Sequence, residues 1–292
     1  MINNIGFACM SKRIDTKYKT LRLSNFTEQR WNECIMHNIN ETSKLIDYCI
    51  ENNYKMVRLS SDIIPFATHE VTDQLDWMRK YHKEFQAIGK KIKDNSIRIS
   101  LHPSQMCVIN SNNPEVVKNS FKDLVYHSNI FNLMGVDGDI LLHVGGVYDD
   151  KNAAMKRFIR SFKKLPIRVQ NRLVIENDDK SYNINDVLII SKYTGIPVVL
   201  DIHHQYCTDC SMDVNLDRIF STWNNRGRSP KIHLSSPRSD DKFRSHADFI
   251  DYEYYKDFMY KLHSIGYNVD IMVEAKQKDL AVIQLKHDLK II

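Results

Sequence analysis

The sequence predicts an α/β fold, and within that class a single (β/α)8 TIM barrel that spans residues 1–292 as one domain. Eight short apolar runs, rich in β-branched residues, alternate with longer stretches that have the periodicity of amphipathic helices. None of the runs is followed by the G-x-G-x-x-G turn of a dinucleotide-binding open sheet. A doubly wound open sheet is therefore the less favoured alternative, and the active site is expected at the C-terminal ends of the barrel strands.

The predicted strands are short and are separated by helical patterns. The strands cover INNIGFA (2–8), MVRLSS (56–61), IRISLH (97–102), DILLHVGG (139–146), RLVIEN (172–177), PVVLDIHH (197–204), KIHLSS (231–236) and DIMVEAK (270–276). The clearest helical patterns cover residues 27–53, 113–135 and 184–195. Thr27 and Asn113 are typical capping residues at helix starts, because an acidic residue follows soon after each of them. The predicted helix ends are Gly135, Gly195 and Gly266.

Composition limits the class of protein. Apolar residues make up 42% of the chain and charged residues 26%, which suits a globular protein with a sizeable core. No apolar run approaches the roughly 18 residues of a membrane span. The N-terminal stretch MINNIGFACMSKR also lacks the order of features found in a signal peptide. We therefore expect a cytoplasmic protein with no membrane partner.

Charge and cysteine content add little about function. The net charge of +5 is too small to indicate a nucleic-acid partner by itself. The six cysteines are expected to be reduced thiols in a cytoplasmic protein. Cys207 and Cys210 form a C-x-x-C pair, but no second half-site follows, so we interpret the pair as incidental.

Potential metal ligands cluster at the predicted strand ends and in the loops that follow. The set is His69, His102, His143, Glu176, Asp201, His204, His233, His246 and Glu274. A single histidine at a strand end is more often a hydrogen-bonded core residue than a ligand, so only the whole set together indicates a metal site. Three carboxylates at one barrel mouth would repel each other unless cations neutralised them.

Divalent metals provide that neutralisation, and mixed histidine and carboxylate ligation suits Mn, Zn or Fe. At about three or four protein ligands per ion, the set would hold two or three ions that share a bridging carboxylate. Multi-metal sites of this kind favour the hydrolysis of phosphate esters. The sequence therefore predicts a hydrolase that uses two to three divalent ions per chain.

Two positions leave alternatives open. Asp201 and His204 have D-x-x-H spacing, which lets both reach one metal as the chain turns, but the adjacent His203 is not excluded. Lys231 lies two residues before His233 and so shares its face of the strand. The lysine either faces substrate phosphates, or is carboxylated on Nζ and acts as a ligand, or extends to solvent at the bottom of the barrel.

A series of segments, taken in chain order, resembles the UV damage endonuclease family. The segments are IGFACMS, LRLSNFT, SSDIIPFATH, SLHPSQ, HVGGVYDDK, IENDDKSYN, DIHH, KIHLSSPRSDDKFRSHADF and VEAKQKD. The resemblance extends from residue 5 to roughly residue 280. It implies a (β/α)8 barrel with up to three metal ions, commonly Mn²⁺, with Zn²⁺ or Mg²⁺ as alternatives. It also implies incision immediately 5′ to a cyclobutane pyrimidine dimer or 6-4 photoproduct, which leaves a 3′-hydroxyl and a 5′-phosphate.

The resemblance implies roles for individual residues as well. The candidate ligands match the family's metal ligands, and the implied catalytic residues are Glu176, Lys231 and His69. Lys231 matches a metal-proximal lysine that can be modified, which favours the carboxylated form. Gln105 and Met106 match a pair that probes the lesion, although the family usually has an aromatic residue at the second position. Further candidate DNA contacts are Phe7, where the family can have a tyrosine, Ser11, and three basic residues around His246, namely Arg238, Lys242 and Arg244.

The expected partner is UV-damaged double-stranded DNA. We expect a monomer without an obligate protein partner, working in the cytoplasm at the nucleoid. An abasic-site endonuclease is one alternative, with similar metal chemistry and a different probe. A sugar isomerase or epimerase on the same barrel is another, but it would need fewer metals and no basic surface. A non-catalytic damage-binding protein would not require three carboxylates in a buried cluster.

Overall fold

The computed structural model describes residues 1–148, 150–209 and 211–290, and it confirms the predicted barrel. The strands are β1 (Ile2–Ala8), β2 (Met56–Arg58), β3 (Arg98–Leu101), β4 (Gly138–His143), β5 (Leu173–Glu176), β6 (Val198–Asp201), β7 (Lys231–Leu234) and β8 (Val269–Val273). They are parallel and pair in chain order, and β1 closes the barrel by pairing with β8. Each predicted run overlaps one strand. Several runs extend further because their last residues leave the ladder and enter the loops at the barrel mouth.

Helices surround the barrel and cover the outer faces of its strands. They are α1 (Glu28–Glu51), α2 (Trp77–Lys80), α3 (His82–Asp94), α4 (Pro114–Met134), α5 (Lys151–Phe162), α6 (Ile167–Gln170), α7 (Ile184–Thr194), α8 (Ile202–Asp209), α9 (Leu216–Phe220), α10 (Tyr252–Ser264) and α11 (Asp279–Asp288). Within the described ranges, no helix is both long enough and apolar enough to cross a membrane.

The helix boundaries follow the signals in the sequence. The Thr27 side chain accepts a hydrogen bond from the backbone N–H of Arg30 at the start of α1, and Asn113 caps α4 in the same way. Gly135 and Gly195 end α4 and α7 with φ angles of +63° and +74°. A left-handed backbone of this kind is accessible to glycine at little steric cost.

The barrel interior changes in character from the strand starts to the strand ends. Near the starts, Arg98 pairs with Asp139 at 3.0 Å and with Asp270 at 2.6 Å. Above this ionic layer lies an apolar layer, formed by Leu141, Val174, Val199, Ala8, Met56 and Met272. The histidines and carboxylates of the candidate site lie on the other side of this apolar layer, at the strand ends. The apolar layer therefore separates the barrel mouth from the ion pairs beneath it, and the site is built on the upper side.

Candidate metal centre at the barrel mouth

The strand ends bring the predicted ligands together because the register aligns them. His143 ends β4 directly beside Glu176 at the end of β5, and Asp201 ends β6 beside His233 of β7. Parallel strands in register place such neighbours on the same edge of the barrel. His102 and Glu274 follow the last residues of β3 and β8. The side chains therefore converge at the barrel mouth.

Glu176 is the centre of this arrangement. Among the described residues, three sets of side chains could each hold a metal ion, and within each set the ligand atoms lie within 4.8 Å of one another. The sets are His102–His143–Glu176, Glu176–Asp201–His204 and Glu176–His233–Glu274. Oε1 of Glu176 lies 2.7 Å from Nδ1 of His233, and Oε2 lies 3.5 Å from Nε2 of His143. One buried carboxylate is thus common to all three sets.

His204, and not His203, lies in one of the three potential ligand sets. After β6 the chain enters α8 at once, so that one helical turn separates Asp201 from His204. The His204 backbone N–H donates to Oδ1 of Asp201 at 2.8 Å, and its ring Nδ1 lies 3.7 Å from Oδ2. His203 instead lies against the Phe243 ring, with its Nε2 3.7 Å from Sγ of Cys207. Cys210, the second cysteine of the C-x-x-C pair, lies outside the described residues.

Burial and mutual charge set the protonation of the site. Burial would raise the pKa of Glu176, but His233 and His143 hold it well below its usual range. Burial raises the pKa of Asp201, and the nearby charge of Glu176 raises it further. Burial would lower the pKa of His204, but the carboxylates of Asp201 and Glu176 raise it to about 9. Burial lowers the pKa of His102 to about 3, which leaves its ring in the neutral form that a metal ligand requires.

The donor set fits divalent metal ions. Oδ2 of Asp201 is buried and accepts no hydrogen bond within the described part of the chain. A buried carboxylate oxygen without a partner is costly, and a cation at that point would remove the cost. The three sets combine imidazole nitrogens with carboxylate oxygens, which is a mixture suited to Mn²⁺, Zn²⁺ or Fe²⁺.

Two of the predicted ligands, His69 and His246, lie outside the three sets. Nδ1 of His69 accepts a hydrogen bond from the backbone N–H of Val71 at 3.1 Å. A neutral ring then carries its hydrogen on Nε2, so that Nε2 can donate a hydrogen bond but offers no lone pair to a metal. The His246 ring lies 6.1 Å from the His204 ring between centroids. Ligation by either residue remains a prediction.

Lys231 does not extend to solvent, so that alternative is wrong. Its side chain is buried, and Nζ donates to Oδ2 of Asp139 at 3.0 Å in the lower ionic layer. Arg98 and Arg228 contact the same carboxylate. Burial lowers the pKa of Lys231 to about 8, against the opposing effect of Asp139. The contact with Asp139 favours the unmodified ammonium, and carboxylation of Nζ remains a prediction.

Arg58, the last residue of β2, is a further member of the site that the sequence pattern did not predict. Its guanidinium donates to Oε1 of Glu274 at 2.5 Å and lies 3.1 Å from Nε2 of His233. The residue is 5% exposed, so a full positive charge lies among the candidate ligands. The signal was present in MVRLSS, because an arginine inside a buried strand is rare unless it has an ionic partner.

The predicted lesion probe lies in an exposed turn at the mouth. Gln105 and Met106 follow His102 in the loop after β3, and the Met106 side chain is 80% exposed. Arg238, Lys242 and Arg244 are also exposed, in the loop after β7. Arg244 pairs with Asp179 at 2.7 Å. These residues are accessible to a large ligand.

Phe7 and Ser11 are not accessible, and their prediction as DNA contacts requires correction. Phe7 is fully buried on the outer face of β1, where its ring packs edge-on against Tyr54 at 5.2 Å. Ser11 is 1% exposed, and its hydroxyl donates to Asp279 at 2.8 Å. Both side chains are engaged in internal packing and hydrogen bonding, which keeps them away from any surface that a duplex could touch.

The chain is similar to UV endonucleases both in sequence and in structure. A family model described as UV-endonuclease UvdE matches residues 3–292. The UV DNA damage endonuclease of Bacillus mycoides (strain KBAB4) is 37% identical over 281 residues, which cover 95% of this chain and 88% of that relative. A crystal structure described as SacUVDE superposes with a TM-score of 0.90 at 33% identity, over 99% of each chain. Endonuclease IV from Thermus thermophilus gives a TM-score of 0.58 at 14% identity over 98% of each chain, a likeness of fold alone.

Proposed function

The chain belongs to the UV-endonuclease UvdE family, and from that premise we propose that it incises DNA immediately 5′ to UV photoproducts. The proposed substrates are cyclobutane pyrimidine dimers and 6-4 photoproducts in double-stranded DNA. The products are a 3′-hydroxyl and a 5′-phosphate. The observation that carries the proposal is the position of Glu176, which is shared by three potential metal-ligand sets at the barrel mouth.

The proposed cofactors are two to three divalent ions, with Mn²⁺ expected and Zn²⁺ or Mg²⁺ as alternatives. When bound, such ions would activate a water and neutralise charge on the scissile phosphate. Glu176, Asp201 and Glu274 would supply the anionic ligands, and the histidines around them would supply neutral ones once metal binding displaces their protons. His69 would donate a hydrogen bond from Nε2 to the substrate, because its Nδ1 already accepts the Val71 N–H. Lys231 is the remaining proposed catalytic residue, and its Nζ donates to Asp139 in the ionic layer below the site.

Recognition is proposed to use the exposed loops. The basic residues of the loop after β7 would contact phosphates and fix the register of the duplex. Gln105 and Met106 would fill the gap left by the displaced bases, where an apolar wedge can enter between base steps. Unstacking costs least at damaged DNA, so the wedge favours lesions over intact duplex. We propose that a monomer performs these steps at the nucleoid.

The test uses UV-irradiated, abasic and undamaged duplexes of one sequence, each incubated with the protein and Mn²⁺. We expect a nick directly 5′ to the photoproduct in the irradiated duplex, with ends that a ligase assay identifies as 3′-hydroxyl and 5′-phosphate. Cleavage of the abasic duplex alone would indicate an abasic-site endonuclease. No cleavage of any duplex, with turnover of a ketose, would indicate a sugar epimerase. Binding of damaged DNA without a nick would indicate a non-catalytic binder.

A further inference from the structure

Arg58 is a permanent cation inside the candidate metal centre. Its guanidinium is buried, and the hydrogen bonds it forms within the described residues go to Oε1 of Glu274 and towards Nε2 of His233. An arginine side chain stays protonated in proteins and can only donate hydrogen bonds. A metal ligand must instead offer a lone pair to the ion. Arg58 and a metal ion therefore compete for the same two side chains.

Competition between Arg58 and a metal ion should lower the metal affinity of one of the three sets much more than that of the others. Glu274 and His233 belong to the set completed by Glu176, and neither appears in the two sets that contain His102 or His204. The side chains of Arg58 and Glu274 form an ion pair at the barrel mouth. The carboxylate of Glu274 is thus already paired with a cation, whereas Oδ2 of Asp201 has no hydrogen-bond donor among the residues described.

We infer that Arg58 is a positioning residue that makes the Glu176–His233–Glu274 set the weakest of the three for divalent metal. The inference rests on the proposed function, because it presupposes that metals occupy the site. If Glu274 is paired with Arg58 for about nine-tenths of the time, the apparent affinity of that set falls about tenfold. Repulsion between the guanidinium and the ion acts in the same direction. Two ions are then held firmly, and a third exchanges with solvent.

Burial excludes the simplest rival role for Arg58, direct contact with DNA phosphates. The residue is 5% exposed, and both of its contacts point to side chains inside the barrel. A purely structural role is the remaining rival. That role predicts a change in stability when Arg58 is replaced, without a change in the affinity of one metal position.

The experiment is a calorimetric titration of Mn²⁺ into metal-stripped protein. We expect the parent to bind two ions more tightly than a third by about tenfold or more. Arg58→Met has a side chain of similar reach and no charge, so the third affinity should rise to within about threefold of the others. Arg58→Lys keeps a cation and should retain a weak third site. Arg160→Met, which removes an exposed arginine from α5, is the matched control and should bind like the parent.

Each outcome decides a different point. A parent that binds no Mn²⁺ would overturn the proposed function together with its metal centre. A parent with equal affinities, or an Arg58→Met protein whose third site stays weak, would overturn the role of Arg58 and leave the proposed function intact. If circular dichroism shows that Arg58→Met is unfolded, Arg58→Gln takes its place with the same expectation. Gln can still donate to Glu274 but carries no charge.

Discussion

Oε1 of Glu176 and Nδ1 of His233 lie 2.7 Å apart at the centre of the barrel mouth, and both side chains are 1% exposed. The pair joins β5 to β7 across β6. The same carboxylate faces His143 through its other oxygen. Glu176 is a member of all three potential ligand sets, so its replacement should weaken metal binding at the whole site.

Replacing Glu176 is the most direct test of the centre. Glu176→Gln keeps the size of the side chain and removes the charge that all three ligand sets share. We expect incision of UV-irradiated duplex to fall by about a hundredfold to a thousandfold, since this is what loss of one well-placed electrostatic group costs. Elemental analysis should find fewer equivalents of metal than in the parent. Glu253→Gln removes an exposed carboxylate of α10 and should change neither quantity. Normal incision by Glu176→Gln would remove Glu176 from the mechanism.

Met106 should contribute to lesion binding without affecting the metals. Met106→Ala removes the exposed apolar wedge, so binding to damaged duplex should weaken while metal content stays unchanged. Met106→Tyr should bind at least as well as the parent, because an aromatic ring adds stacking worth about 1–3 kcal/mol per base. Fluorescence anisotropy with damaged duplex and damaged single strand measures both effects. Met78→Ala, at another partly exposed methionine, is the control.

Met106→Ala should lose less affinity for a damaged single strand than for damaged duplex, because a single strand has no gap for the wedge to fill. Equal losses on both substrates, or loss of metal from Met106→Ala, would show that the loop is scaffold.

Lys231 should make stability depend on pH in a defined window. Its pKa is about 8 in the folded protein, lowered by burial, and near 10.4 when unfolded. Between these values the unfolded chain binds a proton that the native state does not, so stability rises with pH. Relative to Lys231→Met, the parent should therefore gain stability from about pH 8 towards pH 10, and the difference should be constant below pH 8. Urea unfolding at each pH measures the free energy of unfolding of both proteins.

The control for this series is Lys163→Met, which removes an exposed lysine. The stability difference between the parent and Lys163→Met should not change between pH 8 and pH 10. A flat difference between the parent and Lys231→Met across the whole range would mean that Nζ does not titrate as a buried amine, which is the behaviour of a carboxylated lysine.

The strands and most of the centre could be predicted from sequence because both depend on local pattern. A short β-rich run identifies a strand, and parallel strands place their last residues on one face of the barrel. His143, Glu176 and Asp201 each occupy the last position of a strand, so their convergence follows from topology alone. The sequence did not predict contacts that depend on how deep a side chain lies inside the barrel.

Lys231 shows this difficulty well. Alternation assigns it to the inner face together with His233, as observed, but a long flexible side chain can turn towards either end of the barrel. Its direction is decided by Asp139, which lies on a strand far away in sequence. Phe7 is a different case. Its neighbours Gly6 and Ala8 share the opposite face of β1, so strict alternation would have placed the Phe7 ring outside the barrel and beneath the helices.

Asp279 should control the order of the loop after β1. Its carboxylate is fully buried and accepts hydrogen bonds from the Ser11 hydroxyl at 2.8 Å, the Lys12 backbone N–H at 2.6 Å and the Tyr48 hydroxyl at 2.8 Å. Asp279→Asn keeps one acceptor oxygen but turns an amide group towards donors. We expect a loss of about 1–3 kcal/mol in the free energy of unfolding, the usual cost of leaving a buried polar group unsatisfied.

The same change should release the loop while leaving the metal centre in place, and this separates it from a general loss of fold. Trypsin should cleave Asp279→Asn after Lys12 or Arg13 faster than it cleaves the parent, because Asp279 accepts hydrogen bonds from the backbone N–H groups of both residues. Metal content should match the parent, since Asp279 belongs to none of the ligand sets found among the described residues. Asp257→Asn, at an exposed site on α10, should leave stability and cleavage unchanged. If Asp279→Asn resisted trypsin as well as the parent does, Ser11 and its neighbours would be held by the β1 end alone.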